Sequence, residues 1–483
     1  MQSDTPTRTL VDGARRVIPR LRQSGTALIA VAAALILTDC TSYRIIRHRE
    51  PDPRNVAMFP VRRVAKAGVP FEFARAPALR TDLDTVSVRA PGGASRVAFR
   101  EYMERAGVLA FLVIRNDTIL YETYRGGYSP ARLHVTMSVS KSVLSALVGI
   151  AVGEGRIADL DQAVTDFVPR LRSNAAFQDV TIRHLLEMKS GLRFTPTGSG
   201  PWSDFRSDEA RVFYATDLRG FIAAARRDTV PGTQWIYKDT DAEVLGWVLT
   251  EATGKSVAEY ASEKLWSRIG TEFDATWSLD DHGGLERVSS GFNATARDLA
   301  RFARLYLNGG AWNGERIIPA DWVSRSVAVD PTRQEPEVAT WWQMQHTLYW
   351  WHAIQPGSGD FFADGSAGQR VYVDPASRTI IVQLANSSRQ DFPFRRIAAY
   401  LNGTPWDYPR SIPAALLQAG RQFGADSIGP TFERLMAERH RSPEGYVIFK
   451  QAMLSVARLL GDSARTRPAA EEVAKIIARE YPR

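Results

Sequence analysis

The sequence predicts an α/β protein of the α+β type: an antiparallel sheet built from both ends of one domain, with a helical region between them. Two hairpin patterns and the helical spacing that separates them carry this reading. Val108 to Arg115 and Thr118 to Tyr124 are β-rich runs joined at Asn116-Asp117, a two-residue hairpin signal. Gln369 to Val373 and Thr379 to Leu384 flank the turn residues Asp374-Pro375-Ala376-Ser377. Strands early and late with helices between them make the cleft where sheet and helices meet the natural place for a site.

The chain begins with Arg15, Arg16, Arg20 and Arg22 before the apolar stretch Ala27 to Leu37, a charged region followed by a run too short for a comfortable membrane span. This pattern reads as an export signal. Cys40, the single cysteine, follows it, so an internal disulfide is excluded. Its position resembles a bacterial lipoprotein acylation site, although Thr38 and Asp39 stand where small residues are usual; an uncleaved signal anchor and simple cleavage near Cys40 are the alternatives. Each places the remainder outside the cytoplasm, membrane-anchored at its N-terminus in two of the three cases.

From Thr41 to about Ala90 the chain is rich in proline and arginine without sustained periodicity, and an extended arm is expected there. After the first hairpin, Ser138-Val139-Ser140-Lys141 opens a helix that is apolar from Val143 to Ala151 apart from Ser145. Further on, Val244, Leu245, Val248, Leu249 and Ala252 recur at helical spacing within Asp241 to Thr253, and Gly254 stops that helix. Ser256-Val257-Ala258-Glu259 forms a capping box for a helix that carries Tyr260, Leu265 and Trp266. Thr295 or Asp298 caps another, with Leu299, Phe302, Leu305 and Tyr306, ending near Gly309-Gly310. Beyond Trp406, helices are expected at Ile428 to Glu438, Tyr446 to Leu460 and Ala469 to Tyr481. The resulting division is 1–40 signal or anchor, 41–90 arm, 91–405 catalytic domain and 406–483 helical appendage.

Composition sets limits on function. Of 483 residues, 44% are hydrophobic and 24% charged, enough for one large catalytic domain with appendages. The net charge of +8 is scattered and partly N-terminal, with no basic stripe interleaved with aromatics, which argues against nucleic-acid binding. The seven histidines form no HExxH motif and no ligand-spaced cluster, so neither a metal nor a cofactor is expected. Gly254-Lys255-Ser256 superficially resembles the end of a phosphate-binding loop, but Leu249 stands where its first glycine belongs. No serine sits in a GxSxG elbow.

Chemistry concentrates at Ser138 and Lys141. Residues three apart share a helix face, so an amine can stand beside a hydroxyl at the helix start. Burial among apolar side chains disfavours a charged lysine, and on that ground a lowered pKa and a neutral amine able to take the Ser138 proton are expected. Of the few lysines only Lys141 has a serine three residues before it.

Ser138-x-x-Lys141 is also the first of three boxes found, in this order, in the serine β-lactamase and penicillin-binding protein superfamily, which the chain resembles from about Phe99 to Ala399. The second is Tyr237-Lys238-Asp239, where the class C and esterase branches carry Tyr-x-Asn. The third is Ala363-Asp364-Gly365-Ser366-Ala367-Gly368-Gln369, at the place of Lys-Thr-Gly. His184-Leu185-Leu186-Glu187-Met188-Lys189-Ser190-Gly191-Leu192 is similar to the family as well. The likeness is greatest to the branch of 6-aminohexanoate-dimer hydrolases and related carboxylesterases.

The resemblance implies a β-lactamase/transpeptidase-like fold, an antiparallel sheet flanked by helices with a helical subdomain. It implies that Ser138 attacks a carbonyl, Lys141 accepts its proton and Tyr237 relays a proton to the leaving group. Backbone N–H groups of Ser138 and Ser366 would form an oxyanion hole, worth about 2.7–4 kcal/mol per donor. Asp239, Gly365 and Trp351 are the expected substrate-binding positions. Trp202, Asp204, Phe205 and Asp208, in or beside a Gly/Pro/Ser-rich loop, and Trp350 and His352 are read either as pocket walls or as loop and core residues.

Two departures bear on mechanism. Asp239 replaces the usual amide with a carboxylate that can pair with Lys141 and favour its charged form. The third box lacks the lysine that binds a carboxylate, which weakens penicillinase and carboxypeptidase readings. The expected function is an exported serine hydrolase acting on an ester or linear amide of a small molecule or peptide. Alternatives are a cell-wall peptide hydrolase or weak β-lactamase, or a sensor that captures a β-lactam without turnover. The tail from Ser411 resembles one tetratricopeptide-like hairpin, which could not bury its own apolar face and is expected to dock on the catalytic domain.

Overall fold

The computed structural model describes residues 40–91, 95–196, 207–329, 344–353, 359–387, 392–442, 445–448 and 450–481. Trp202, Asp204, Phe205 and the export-signal region 1–39 lie outside the described residues. Contacts divide the chain into two units. In the smaller one, helix Cys40–His48 packs on helix Asp208–Tyr214, whose Tyr214 hydroxyl donates to the Arg49 carbonyl at 3.0 Å. All remaining elements belong to the larger unit.

The expected hairpin forms between strands Val108–Arg115 and Thr118–Tyr124. Asn116 and Asp117 take φ of 49° and 58°, the left-handed conformation that a tight two-residue hairpin turn requires and that Asn and Asp tolerate best after glycine. Strands Gln369–Asp374 and Thr379–Ala385 form the second hairpin. The two hairpins meet edge to edge, with Ile114 opposite Ile380 and Leu112 opposite Val382. An eight-stranded sheet results, running in the order 344–347, 350–353, 361–365, 369–374, 379–385, 108–115, 118–124 and 74–75. It is antiparallel except at its last pair, where Ala74–Arg75 runs parallel to Thr118–Ile119.

The central strands are apolar on both faces because both faces are covered. Phe111, Val113, Tyr372 and Ile381 share one core cluster with Phe99 and Tyr102 of helix Phe99–Arg105 and with Phe394 and Ile397 of helix Phe394–Asn402. Helix Ala296–Leu307 packs on strands 108–115, 369–374 and 379–385. Helix Val139–Gly153 is buried from Val139 to Ala151, which explains why its sequence is apolar nearly all round.

Several expectations need correction. The arm is not merely extended: Val61–Val64 pairs with Ala275–Ser278 in a second, four-stranded sheet with 292–294 and 134–135, and Ala74–Arg75 joins the main sheet. Short proline-bounded strands leave no periodicity long enough to read. Ser256 and Glu259 do form the capping box, but that helix ends at Lys264, so Leu265 and Trp266 lie beyond it. Thr295 is the cap of the next helix; Asp298 instead accepts the backbone N–H groups of Glu272 and Phe273 and pairs with Arg301. Tyr446 and Val447 are not helical but pair with Arg410 and Ser411.

The tail is more than one hairpin. Helices Ile412–Phe423, Ile428–Arg441, Lys450–Gly461 and Arg467–Glu480 bury Leu416, Phe432, Leu435, Met453, Leu460 and Val473 in a cluster of their own. The apolar faces that were expected to need another surface cover one another.

Gly149, midway along helix Val139–Gly153, faces the buried ring of Trp322 so closely that a Cβ would stand 2.5 Å from its carbons. Alanine gains about 1 kcal/mol in helix propensity over glycine. Overpacking a rigid ring costs about 1–3 kcal/mol and wins. Gly149→Ala is therefore expected to lower the melting temperature, and an unchanged or raised value would show that the Trp322 contact relaxes freely.

Candidate active site

The start of helix Val139–Gly153 is held in an unusual backbone conformation. Met137, immediately before Ser138, has φ of 50°, strained for a residue with a long side chain. Its surroundings maintain it: Ser140 Oγ donates to the Met137 carbonyl at 2.6 Å, and the Phe292 amide donates to Ser140 Oγ at 3.0 Å. On the sheet side, Gly365 ends strand Phe361–Gly365 so close that a Cβ would lie 2.5 Å from the Thr136 carbonyl oxygen and 3.1 Å from Met137 Cβ. Gly365 thus serves close packing beneath the Ser138 turn. Ser138 occupies the N-cap position yet makes no side-chain cap bond.

Its hydroxyl is engaged by Lys141 instead. Lys141 Nζ donates to Ser138 Oγ at 3.0 Å, to Asp239 Oδ1 at 2.5 Å and to the Ser289 carbonyl at 3.0 Å. An ammonium group has three N–H donors, and all three are used. Asp239 is supplied by helix Asp239–Thr253, which starts two residues earlier than its apolar spacing indicates because Asp239 and Asp241 form its first turn, where acidic groups favour the helix dipole. Gly254 closes that helix with φ of 68°.

The charge state of Lys141 is the main correction to the sequence reading. Burial does disfavour its ammonium form, but the carboxylate of Asp239, with a further contribution from Tyr237, outweighs burial and holds the pKa above its ordinary value. Tyr237 lies across the same group, with Lys141 Nζ 4.9 Å from its ring centroid. Burial raises the Tyr237 pKa, opposed by the Lys141 charge and by hydrogen bonding with Ser138 and Lys141. Trp351 is half-buried and stands 5.7 Å from the Tyr237 ring, whereas its neighbour Trp350 is fully buried in the core.

Ser366 begins a short turn in which Ala367 takes φ of 57°. Gln369 fastens it: its Nε2 donates to the Ser366 carbonyl at 3.1 Å and to the Ala385 carbonyl at 2.8 Å, and its Oε1 accepts from the Ala385 amide at 3.0 Å. The structure therefore brings Ser138, Lys141, Tyr237 and Asp239 into one cluster, with Trp351 against Tyr237 and Gly365 beneath the Ser138 turn.

Sequence reasoning missed three contributors. Ser289 contacts Lys141 through its backbone carbonyl, for which no side-chain signal exists. Gln369 was read only as part of the third box. Glu243 lies one helical turn after Asp239, a spacing that was legible, and its carboxylate accepts the backbone N–H groups of Val288 and Ser289 at 3.2 and 3.1 Å. Burial pushes Glu243 up to about 7, against the pull of its Ser289 hydrogen bonds. A second buried polar group lies nearby, in which Ser190 Oγ donates to Asp241 Oδ1 at 2.5 Å and Lys238 Nζ donates to the Leu192 carbonyl at 2.9 Å. Among the described residues no cluster of His, Cys, Asp or Glu could hold a metal ion.

Known proteins resemble this chain in sequence and fold. The Beta-lactamase family profile matches residues 96–403. A 6-aminohexanoate-dimer hydrolase from Paenarthrobacter ureafaciens is 30% identical over 69% of this chain and 84% of its own length. Among solved structures, a provisionally named 6-aminohexanoate-dimer hydrolase from Bacillus anthracis is 26% identical, with a TM-score of 0.65 over 73% of this chain and 94% of that one. An octameric penicillin-binding protein homologue from Pyrococcus abyssi is 19% identical, with a TM-score of 0.50 over 63% of this chain and 76% of that one, a likeness of fold alone. The fold is the β-lactamase/transpeptidase-like fold expected from the three boxes.

Proposed function

The chain belongs to the Beta-lactamase family, and from that premise we propose that it is an exported serine hydrolase cleaving esters or linear amides through a covalent acyl-enzyme on Ser138. The observation that carries the proposal is Lys141 Nζ, placed 3.0 Å from Ser138 Oγ and 2.5 Å from Asp239 Oδ1. Serine is a weak nucleophile until a neighbouring base takes its proton, and the groups in reach are Lys141 and Tyr237.

Lys141 is an ammonium ion in the resting site, so the reactive form is one in which the Lys141–Tyr237 couple has lost a proton. That loss is a property of the pair rather than of either residue. As Ser138 Oγ bonds to the carbonyl carbon, its proton passes to the couple and the carbonyl π electrons move onto oxygen. Backbone N–H groups of Ser138 and Ser366 stabilise this oxyanion. When the tetrahedral intermediate collapses, Tyr237 delivers the proton to the departing alkoxide or amine, leaving acylated Ser138. Water then attacks the acyl group, giving one proton to the couple, and the acid leaves as Ser138 Oγ regains a proton.

Substrate class follows from charge. Ala363 stands where a lysine of the third box would bind a carboxylate; Lys141 is already engaged by Asp239, and Arg370 by Asp364 of that box. The site thus favours a substrate whose scissile carbonyl lies away from an anionic end, a small ester or linear amide over a β-lactam. The name of the Paenarthrobacter relative supports a linear amide. Trp351 and Tyr237 would line the pocket with aromatic surface, and Asp239 would act on substrate only through Lys141.

Export and anchoring rest on the arginines and the apolar run before Cys40; no helix among the described residues is long and apolar enough to cross a membrane. Acylation of Cys40 would hold the enzyme at the cell envelope, with residues 406–483 as a separate helical appendage.

Ser138→Ala is expected to abolish turnover of a chromogenic ester and labelling by a fluorophosphonate while leaving the melting temperature nearly unchanged; persisting turnover would rule out Ser138 as nucleophile. Asp239→Asn removes the carboxylate that keeps Lys141 charged, so the couple loses its proton at lower pH. The acidic limb of the kcat/KM profile is expected to move to lower pH by about one unit or more. A limb that stays in place would mean that Asp239 does not tune the base. Cys40→Ala is expected to release the protein from membranes, measured by fractionation after metabolic labelling with a fatty-acid analogue; Cys40-independent labelling would refute lipidation at this residue.

A further inference from the structure

Glu243 is buried, carries an ionisable group and has no part in the mechanism above. It touches neither Ser138 nor the reacting carbonyl in that scheme, yet it is one step removed from the base. Helix Asp239–Thr253 presents two carboxylates one turn apart on the face turned toward Lys141. Asp239 takes one N–H of the lysine directly. Glu243 takes the backbone N–H groups of Val288 and Ser289, and the carbonyl of that same Ser289 takes another N–H of the lysine.

We propose that Glu243 is a positioning residue for Lys141, clamping the Val288–Ser289 peptide so that the Ser289 carbonyl and the Asp239 carboxylate, both set by one helix, hold the lysine amine on Ser138. The inference rests on the proposed serine-hydrolase reading. Its logic is geometric. Lys141 reaches Nζ through four methylene groups and can swing widely unless each N–H has a fixed acceptor. Asp239 is fixed by its helix, but the Ser289 carbonyl belongs to a turn in the connection between strands Ala275–Ser278 and Phe292–Ala294. Within itself the turn is closed by the Ser290 and Gly291 amides donating to the Arg287 carbonyl at 3.3 and 2.7 Å, and the two N–H groups held by Glu243 are the hydrogen bonds that tie it to the helix carrying Asp239.

The clamp is also tightly enclosed. Gly246, one turn beyond Glu243 on the same helix, lets Val288 approach so closely that a Cβ would meet its Cγ2 at 2.5 Å. Helix and turn therefore have little room to separate, and a shift at Glu243 passes to Ser289. A carboxylate suits this task because its two oxygens accept from two successive amides at once. An amide side chain offers one acceptor oxygen, and its NH2 group would face a second N–H.

The test uses the full chain and the variants Glu243→Gln, Glu243→Asp and Glu243→Ala, with Ser138→Ala as the control for the underlying reading. Folding is followed by melting temperature, catalysis by kcat and KM on a chromogenic ester, and the reactivity of Ser138 by its rate of labelling with a fluorophosphonate. Displacement of a catalytic group by about 1 Å can reduce a rate by up to about 100-fold. Glu243→Ala is expected to lower both kcat and the labelling rate by 10-fold or more, to about that limit, with KM within about threefold of the parent. Glu243→Gln is expected to recover part of the loss through its one remaining acceptor. If Glu243→Ala does not fold, Glu243→Asp decides, because it keeps the carboxyl group but withdraws its oxygens by one methylene; it must lower kcat with KM preserved. Folded Gln and Asp variants with parental kcat and labelling rate would overturn the positioning role and leave the serine-hydrolase reading intact. Turnover that survives in Ser138→Ala would overturn that reading and the inference with it.

Discussion

The ion pair between Lys141 and Asp239 is the constraint on which the site depends. Taking an ammonium and a carboxylate out of water carries a penalty of several kcal/mol per ion, offset only when both partners meet in good geometry with their remaining hydrogen-bonding capacity satisfied. On the lysine side that condition is met by Ser138 and the Ser289 carbonyl as the other two acceptors. Removing one partner would leave a buried charge unpaired, at a cost of about 3–5 kcal/mol. The pair therefore fixes three pieces of backbone relative to one another: the helix after Ser138, the helix from Asp239, and the turn at Val288–Ser289. None of the three can shift without weakening the other contacts of the same amine.

The sheet supplies the second requirement, a serine that points away from its own helix. Met137 is held with positive φ by Ser140, and the strand ending at Gly365 passes beneath it with no room for a side chain. A strained residue of this kind persists only where its surroundings over-determine it. The consequence is that Ser138 neither caps its helix nor turns into the core. Its hydroxyl is left for Lys141.

Much of this architecture was legible in the residues. The hairpins were readable because Asn116-Asp117 and Asp374-Pro375 mark turns by their own conformational preferences, and the buried helix after Ser138 because its apolar pattern has no polar face. The cluster of Ser138, Lys141, Tyr237 and Asp239 followed from motif order. The lysine charge state was not legible from burial alone: burial and Asp239 act in opposite directions, and the outcome turns on a 2.5 Å separation between residues 98 positions apart. Ser289 was out of reach for a different reason, since a backbone carbonyl has no residue type. The second sheet escaped notice because strands of two to four residues carry too few alternations to stand out.

The central claim is that the resting lysine is an ammonium ion, kept so against burial by Asp239 and ready to engage the Ser138 hydroxyl. Carbon-13 labelling at lysine Cε, with the Lys141 signal assigned by Lys141→Arg, reads that charge directly as a function of pH. The account predicts a Lys141 signal that stays at the ammonium position up to about pH 10, close to where an unperturbed lysine titrates. A signal that titrates near neutral pH would contradict it, because Lys141 would then be the neutral amine that burial alone favours.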